Sequence, residues 1–211
     1  MLLQSTAMRK FIFIFALLMP TFLMAANKSG TTGSCQWTFD TSSGLLTITG
    51  NGPTGEYEYN YPWSPWNSDR WSVTKVVINE GVTRLGTYLF NDCKNLTEVT
   101  IPSTCESIGS CAFQGCNIQS LTLPEGVKHI ESAAFNGNAS MTKLSLPSTL
   151  EDIGDYGFYN NSYISILTLP ANLTTIGKAA FREWRALEVV NFPHATSLQI
   201  IEDEAFMNDS K

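Results

Sequence analysis

The sequence predicts an α/β-type repeat solenoid, about six coils of roughly 23 residues behind an N-terminal β-hairpin cap. Three observations carry this. Phenylalanine recurs at Phe90, Phe113, Phe135, Phe158, Phe181 and Phe206, in steps of 23, 22, 23, 23 and 25 residues. Proline keeps the same interval at Pro102, Pro124, Pro147, Pro170 and Pro193. Between these markers apolar residues repeat in fixed columns, so each coil offers one apolar side that only a stacked neighbour can bury.

The chain has 211 residues. Residues 1–26 read as a signal peptide. Arg9 and Lys10 precede the apolar run Phe11 to Leu18, and small Ala25 and Ala26 stand where cleavage is expected. Met8 heads this segment as well as Met1 does. Counted through Met24 the largely apolar run is about 14 residues, short for a membrane span, which argues against an uncleaved anchor. The mature chain is expected to have no membrane span and to be periplasmic, cell-surface or extracellular.

Residues 27–34 are polar and rich in Gly, Ser and Thr, and read as a flexible lead. Residues 35–72 form the cap. Cys35 to Phe39 and Leu46 to Thr49 alternate apolar with polar residues around a turn at Asp40 to Gly44, which is a β-hairpin. An aromatic loop follows, in which Tyr57, Tyr59, Tyr61, Trp63, Trp66 and Trp71 crowd together among Pro53, Pro62 and Pro65. Such rings either plug the end of the core or bind sugars, and burial favours the plug.

Residues 73–211 are the solenoid. In the fourth coil Leu144 and Leu146 point inward around Ser145, proline stops the strand, and Leu150, Ile153 and Phe158 point inward on the return path. The same columns read Val76, Ile78, Val82, Leu85, Phe90 in the first coil and Val190, Phe192, Leu198, Ile201, Phe206 in the last. The last coil carries two extra residues near Ala195 and Thr196, expected as a bulge. Gly86, Gly109, Gly154 and Gly177 share a turn column that Glu131 and Glu202 fill elsewhere, so a positive φ is not obligatory there.

Net charge is −6, which leaves no basic stripe for a nucleic acid. His129 and His194 lie in different coils without ligand-spaced partners and read as surface residues. Glu202, Asp203 and Glu204 read as a solvated turn. No phosphate loop, metal set or catalytic constellation is expected, and no cofactor is implied. Five cysteines leave an odd thiol, and Cys93 and Cys116 stack as buried thiols or as a disulfide, with the thiols favoured. Sequons stand at Asn95, Asn138, Asn160, Asn172 and Asn208.

The candidate partner-binding face is the outward side of the strands. One column holds Val77, Thr100, Thr122, Ser145, Thr168 and Asn191, and a second holds Lys75, Glu98, Ser120, Lys143, Ile166 and Val189. The first is mostly small hydroxyls, and the second turns from charged to apolar. Small hydroxyls cost little to desolvate, which suits contact with a protein ligand. Phe192, Leu198, Ile201 and Phe206 should be partly exposed at the end of the stack, where a fragment edge or a homodimer through the last coil is expected.

The run Ile101-Pro102, Ile108-Gly109, Ala112-Phe113 and Cys116 resembles the BspA-like leucine-rich repeat, also called the Treponema pallidum type. Cys35-x-Trp37-x-Phe39-Asp40, Gly44-x-Leu46-x-Ile48-x-Gly50-x-Gly52 and Pro62-Trp63 are similar to the segment that precedes those repeats. The resemblance covers residues 33 to 211. It implies a secreted or surface-attached bacterial protein that binds host or neighbouring-cell proteins, as an adhesin does, and it brings no catalytic residues.

Overall fold

The computed structural model describes residues 27–193 and 197–208. The signal segment, His194 and the bulge at Ala195 and Thr196 lie outside the described residues. The chain forms stacked coils, each with a strand on one side and a shorter strand on the return. They follow a cap of β1 (Lys28–Thr32), β2 (Cys35–Asp40), β3 (Leu45–Gly50) and β4 (Gly52–Pro53). The first coil holds β5 (Lys75–Ile78) and β6 (Val82–Leu85), the second β7 (Glu98–Thr100) and β8 (Ser107–Ile108), and the third β9 (Ser120–Thr122) and β10 (His129–Ile130). Then come β11 (Lys143–Ser145) with β12 (Asp152–Ile153), β13 (Ile166–Thr168) with β14 (Thr175–Ile176), and β15 (Val189–Asn191) with β16 (Ile200–Ile201).

The expected inward columns are the core. Val76, Leu121, Leu167, Val127, Ile130, Leu150 and Ile153 are buried, and Thr100, Thr122, Ser145 and Thr168 face out. The α/β description needs correction. Among the described residues the helical content is one 3-10 turn, Asn67–Asp69, in the cap loop. The return path carries two-residue strands joined by tight turns in most coils, because left-handed residues on both sides of each phenylalanine interrupt any helical run.

The phenylalanines stack ring on ring, with centroids 5.1 to 5.8 Å apart from Phe90 to Phe206. Their main chain forms a ladder of its own. At each coil junction the N–H groups two residues before the phenylalanine, of the phenylalanine and two residues after it donate to the next coil. Examples are Ala133 to Asp155, Phe135 to Gly157 and Gly137 to Tyr159, at 2.8, 2.8 and 2.9 Å. All three donors point the same way. This requires left-handed residues on both flanks. Tyr88, Cys111, Ala133, Tyr156, Ala179 and Glu204 all have φ between 52 and 62°. Asp92, Gly115, Gly137, Asn160, Glu183 and Asn208 have φ between 56 and 75°.

Two further core columns complete the interior. Leu96, Ile118, Met141, Ile164 and Leu187 are buried ahead of the strands. Cys93, Cys116, Asn138, Asn161 and Trp184 are buried three residues after each phenylalanine. The latter column is polar for a reason. Asn138 Nδ2 donates to the carbonyls of Phe113 and Phe135 at 2.9 and 3.0 Å, and Asn161 Nδ2 to those of Phe135 and Phe158 at 3.2 and 2.6 Å. Cys116 Sγ and Trp184 Nε1 reach the carbonyls of Phe90 and Phe158. The sequon at Asn138 is therefore a wholly buried core donor.

The cap closes each ladder separately. β3 pairs in parallel with β5, and β4 pairs with β6. Trp66 completes the third: its ring stacks on Phe90 at 5.1 Å, and its Nε1 donates to the Leu89 carbonyl at 3.1 Å. The Tyr57 N–H donates to the Thr87 carbonyl at 3.1 Å. The expected flexible lead is corrected as well. Lys28–Thr32 is a strand paired antiparallel with β2, so the expected hairpin is a three-stranded antiparallel unit, β1 to β3. Gly33, at φ +57°, makes the turn, and Lys28 pairs with Asp69 at 2.7 Å. Polar composition disguised this strand, since an edge strand pairs through its backbone and needs only one packed face.

At Gly109 and Gly177 a Cβ would meet the preceding coil's backbone at 2.7 and 2.6 Å, so close approach explains the column. All five cysteines are free, and burial pushes the Cys93 thiol up to about 12.

Replacing Asn138 with Ala is expected to cost about 2–4 kcal/mol, because it strands the buried Phe113 carbonyl and the Ile118 N–H, which donates to the Asn138 side-chain oxygen. Trp66→Phe should keep the stack and lose about 1–2 kcal/mol with the indole donor. Ala133→Gly should leave stability equal or raise it by about 0.5–1 kcal/mol, since glycine accepts the left-handed conformation without strain. Urea unfolding followed by circular dichroism checks all three.

Candidate functional site

The strand face is built by the pleat. Inward side chains hold the core, and those between them must face solvent. Parallel pairing sets Lys75 beside Glu98, Ser120 beside Lys143 and Ile166 beside Val189. Within the hydroxyl column, Thr100, Thr122, Ser145, Thr168 and Asn191 are exposed and Val77 is half-buried. Lys75 and Glu98 form an ion pair at 2.8 Å, which neutralises the N-terminal end of the second column. At its other end Ile166 and Val189 are 57% and 44% exposed. These two belong to the one stretch of the face where apolar side chains adjoin across coils.

A groove of about 870 Å³ runs along the corner just ahead of these strands. Ala139, Ala186 and Leu187 give it an apolar part, and Ser162, Tyr163, Ser165, Arg185 and Glu188 line the rest. Tyr163 stands exposed beside it. Arg185 is tied to Glu183 at 2.8 Å and remains largely exposed. Sequence columns name the strand residues but not the groove, because it forms where turns of three successive coils meet.

The aromatic loop divides. Trp66 is fully buried and belongs to the cap. Tyr57 is half-buried, with its hydroxyl 2.8 Å from Thr32 Oγ1. These two are corrections to the sugar-binding set, since each ring fills the end of the core. Trp71 is exposed beneath the Arg70 guanidinium, 4.7 Å from its ring centre. Tyr59, Tyr61 and Trp63 are exposed and clustered.

His129 is partnered by the next coil: its Nδ1 lies 2.5 Å from Asp152 Oδ2, in register across β10 and β12. Glu204 pairs with Arg182. Among the described residues no group of three or more His, Cys, Asp or Glu side chains is arranged to hold a metal ion. No helix among them is long and apolar enough to cross a membrane. At the last coil Phe192 and Ile201 are exposed, and Leu198 and Phe206 are half-buried. The N–H groups of Glu204, Phe206 and Asn208 find no main-chain acceptor among the described residues.

A family model for the BspA-type leucine-rich repeat region matches six copies over residues 83–211, more than half of the chain. The chain belongs to the BspA-type leucine-rich repeat family. Solved structures agree on the fold. A leucine-rich repeat protein from Eubacterium ventriosum superposes with a TM-score of 0.67 at 29% identity, over 85% of this chain and 45% of that one. One from Bacteroides ovatus gives 0.52 at 22% identity, over 79% of this chain and 54% of that one. The T. pallidum leucine-rich repeat protein gives 0.57 at 17% identity, over 79% of this chain and 84% of that one. The chain thus spans about half the length of the first two. No curated protein matches it.

In this BspA-type solenoid one ion network ties the return sheet to the cap. Arg84 pairs with Glu56 and, at 2.6 Å, with Glu131 two coils away. Glu131 also accepts from Ser107 and from the Ser110 N–H. Burial pushes the Glu131 carboxyl up, but the Arg84 hydrogen bond and charge, with Ser110, outweigh it and leave it below its ordinary 4.5. A lowered folded value means stability that is present above the unfolded value and lost as pH falls through the folded one. Glu131→Gln should therefore lower the melting temperature at neutral pH, by about 0.5–1 kcal/mol in stability for so exposed a pair. The gap between the two proteins should close as pH falls below 4.5, read from melting curves across acid pH.

Proposed function

We propose that this chain is an exported, surface-associated binding module whose strand face and adjoining groove engage a protein partner, as an adhesin does. The observation that carries this reading is the apolar step on the face. Earlier coils place Lys75, Glu98, Ser120 and Lys143 in the column that Ile166 and Val189 occupy, so the fold itself does not require apolar side chains there. Their exposure beside Tyr163 and the groove, next to a column of hydroxyls, matches a protein interface better than a solvated face. The sheet beneath holds these side chains on rigid backbone, which limits the entropy lost on binding. Export rests on the basic and apolar pattern of residues 9–26. Binding without catalysis is what an open-faced solenoid supports best.

Surface plasmon resonance against a panel of extracellular-matrix and cell-surface proteins tests the reading. The double variant Ile166→Asp with Val189→Asp should weaken any captured partner by about ten-fold or more, since charge is depleted from interface cores. Its circular dichroism should be unchanged. A panel from which nothing binds, or binding untouched by the double variant, would overturn the strand-face assignment.

A further inference from the structure

The cluster at Tyr59, Tyr61 and Trp63 lies apart from the strand face, and the protein-binding reading makes no use of it. These rings are 66%, 76% and 53% exposed. Exposed rings of this size, side by side, are uncommon on a protein surface that serves no ligand. They are also held in place. The Glu58 N–H donates to the Pro62 carbonyl at 2.9 Å and closes the loop. Trp63 Nε1 donates to the Tyr59 carbonyl at 3.1 Å, which fixes the indole. Tyr61 meets Trp63 edge to face at 6.4 Å, and Tyr59 leans on Tyr88 of the first coil at 6.2 Å. A cleft of only about 30 Å³, room for a single hydroxyl, opens between Tyr59, Trp63 and Tyr88, with Glu58, Asn67 and Asn91 at its rim.

The rim states what kind of ligand fits. Arg70 donates to the Asn67 side-chain oxygen at 3.2 Å, which leaves the Asn67 amide N–H₂ as the free end of that group. The Glu58 carboxylate accepts hydrogen bonds. The Asn91 carbonyl is the equivalent of those that accept ladder bonds in later coils. Thr87 and Leu89 have theirs capped by Tyr57 and Trp66, but the Asn91 carbonyl has no main-chain donor among the described residues. No Lys or Arg lines the cleft, so an anion has no partner there. Apolar ring faces beside mixed acceptors and donors match a neutral pyranose, whose axial C–H face is apolar and whose hydroxyls both donate and accept.

We propose that the exposed rings around this cleft form a glycan-binding surface that takes a neutral sugar ring against Trp63 and Tyr59, with one hydroxyl entering the cleft toward Glu58, Asn67 and the Asn91 carbonyl. The site is independent of the strand face. Its test is an array of neutral oligosaccharides, acidic oligosaccharides and proline-rich peptides probed with the full chain. Tryptophan fluorescence titration with the neutral oligomers retained then follows. Neutral glycans should be retained and should quench fluorescence. Trp63→Ala should weaken binding by about ten-fold or more, as loss of a central aromatic contact does. Tyr59→Ala should weaken it too, while Trp71→Ala, an exposed tryptophan off the cleft, should leave it unchanged. Because these side chains are exposed, the melting temperatures should stay level. Retention of acidic glycans or proline-rich peptides alone, no retention of any neutral glycan, or equal binding by Trp63→Ala would overturn the proposal.

Discussion

Everything in this molecule rests on the main-chain hydrogen bond that runs from one coil to the next. A coil of this length cannot bury its own apolar side, and within itself it makes only short turn bonds such as Ala134 to Glu131 and Met141 to Asn138. Its backbone is therefore satisfied by its neighbours, along the strand face, along the return sheet and along the phenylalanine ladder. The first two are ordinary parallel pairing. The third is not, because its donors all face one way and its acceptors the other. That arrangement needs left-handed residues on both sides of each phenylalanine, and most of them are not glycine. The strain is accepted because each such residue from Tyr88 to Glu183 places its N–H on a carbonyl of the next coil that would otherwise lack that partner.

The same constraint explains the cap and the polar core. A ladder with a direction has unlike ends. At the N-terminal end the open groups are carbonyls, so the cap must supply donors, and Tyr57 and Trp66 do so. Trp66 is the more economical of the two, since one side chain both stacks on Phe90 and replaces a missing main-chain N–H. Inside the stack the phenylalanine carbonyls face inward, and Cys116, Asn138, Asn161 and Trp184 reach them. A fully apolar residue in that column would fill the space and leave the carbonyls unpaired.

With the interior committed to this network, the surface is left to side chains that the repeats do not constrain. The outward strand columns vary freely, which is why charge at Lys75 and Glu98 gives way to Ile166 and Val189. The loop at Tyr59 to Trp63 lies on the flank of the cap and carries its rings outward. The two surfaces are separate, and each is mounted on backbone fixed by the stack.

Periodicity made the coils, their register and the outward columns legible in the sequence, because a side chain that recurs at one position in every coil meets the same surroundings each time. It also showed a cap at Cys35 to Gly52 through alternation. It did not show the strand at Lys28–Thr32, whose pairing is a backbone property, nor the short strands that stand in place of helix among the described residues of the return path. Composition placed the six aromatic residues in one loop but could not sort them. Trp66 turned inward and Trp63 outward only because the first coil had a bare phenylalanine ring and a bare carbonyl to cover. The sequence by itself determined the repeat and which side chains line it. Only the tertiary structure decided where the groove opens, which rings face solvent and why Asn138 is inside, because these depend on groups that neighbouring coils leave unpaired.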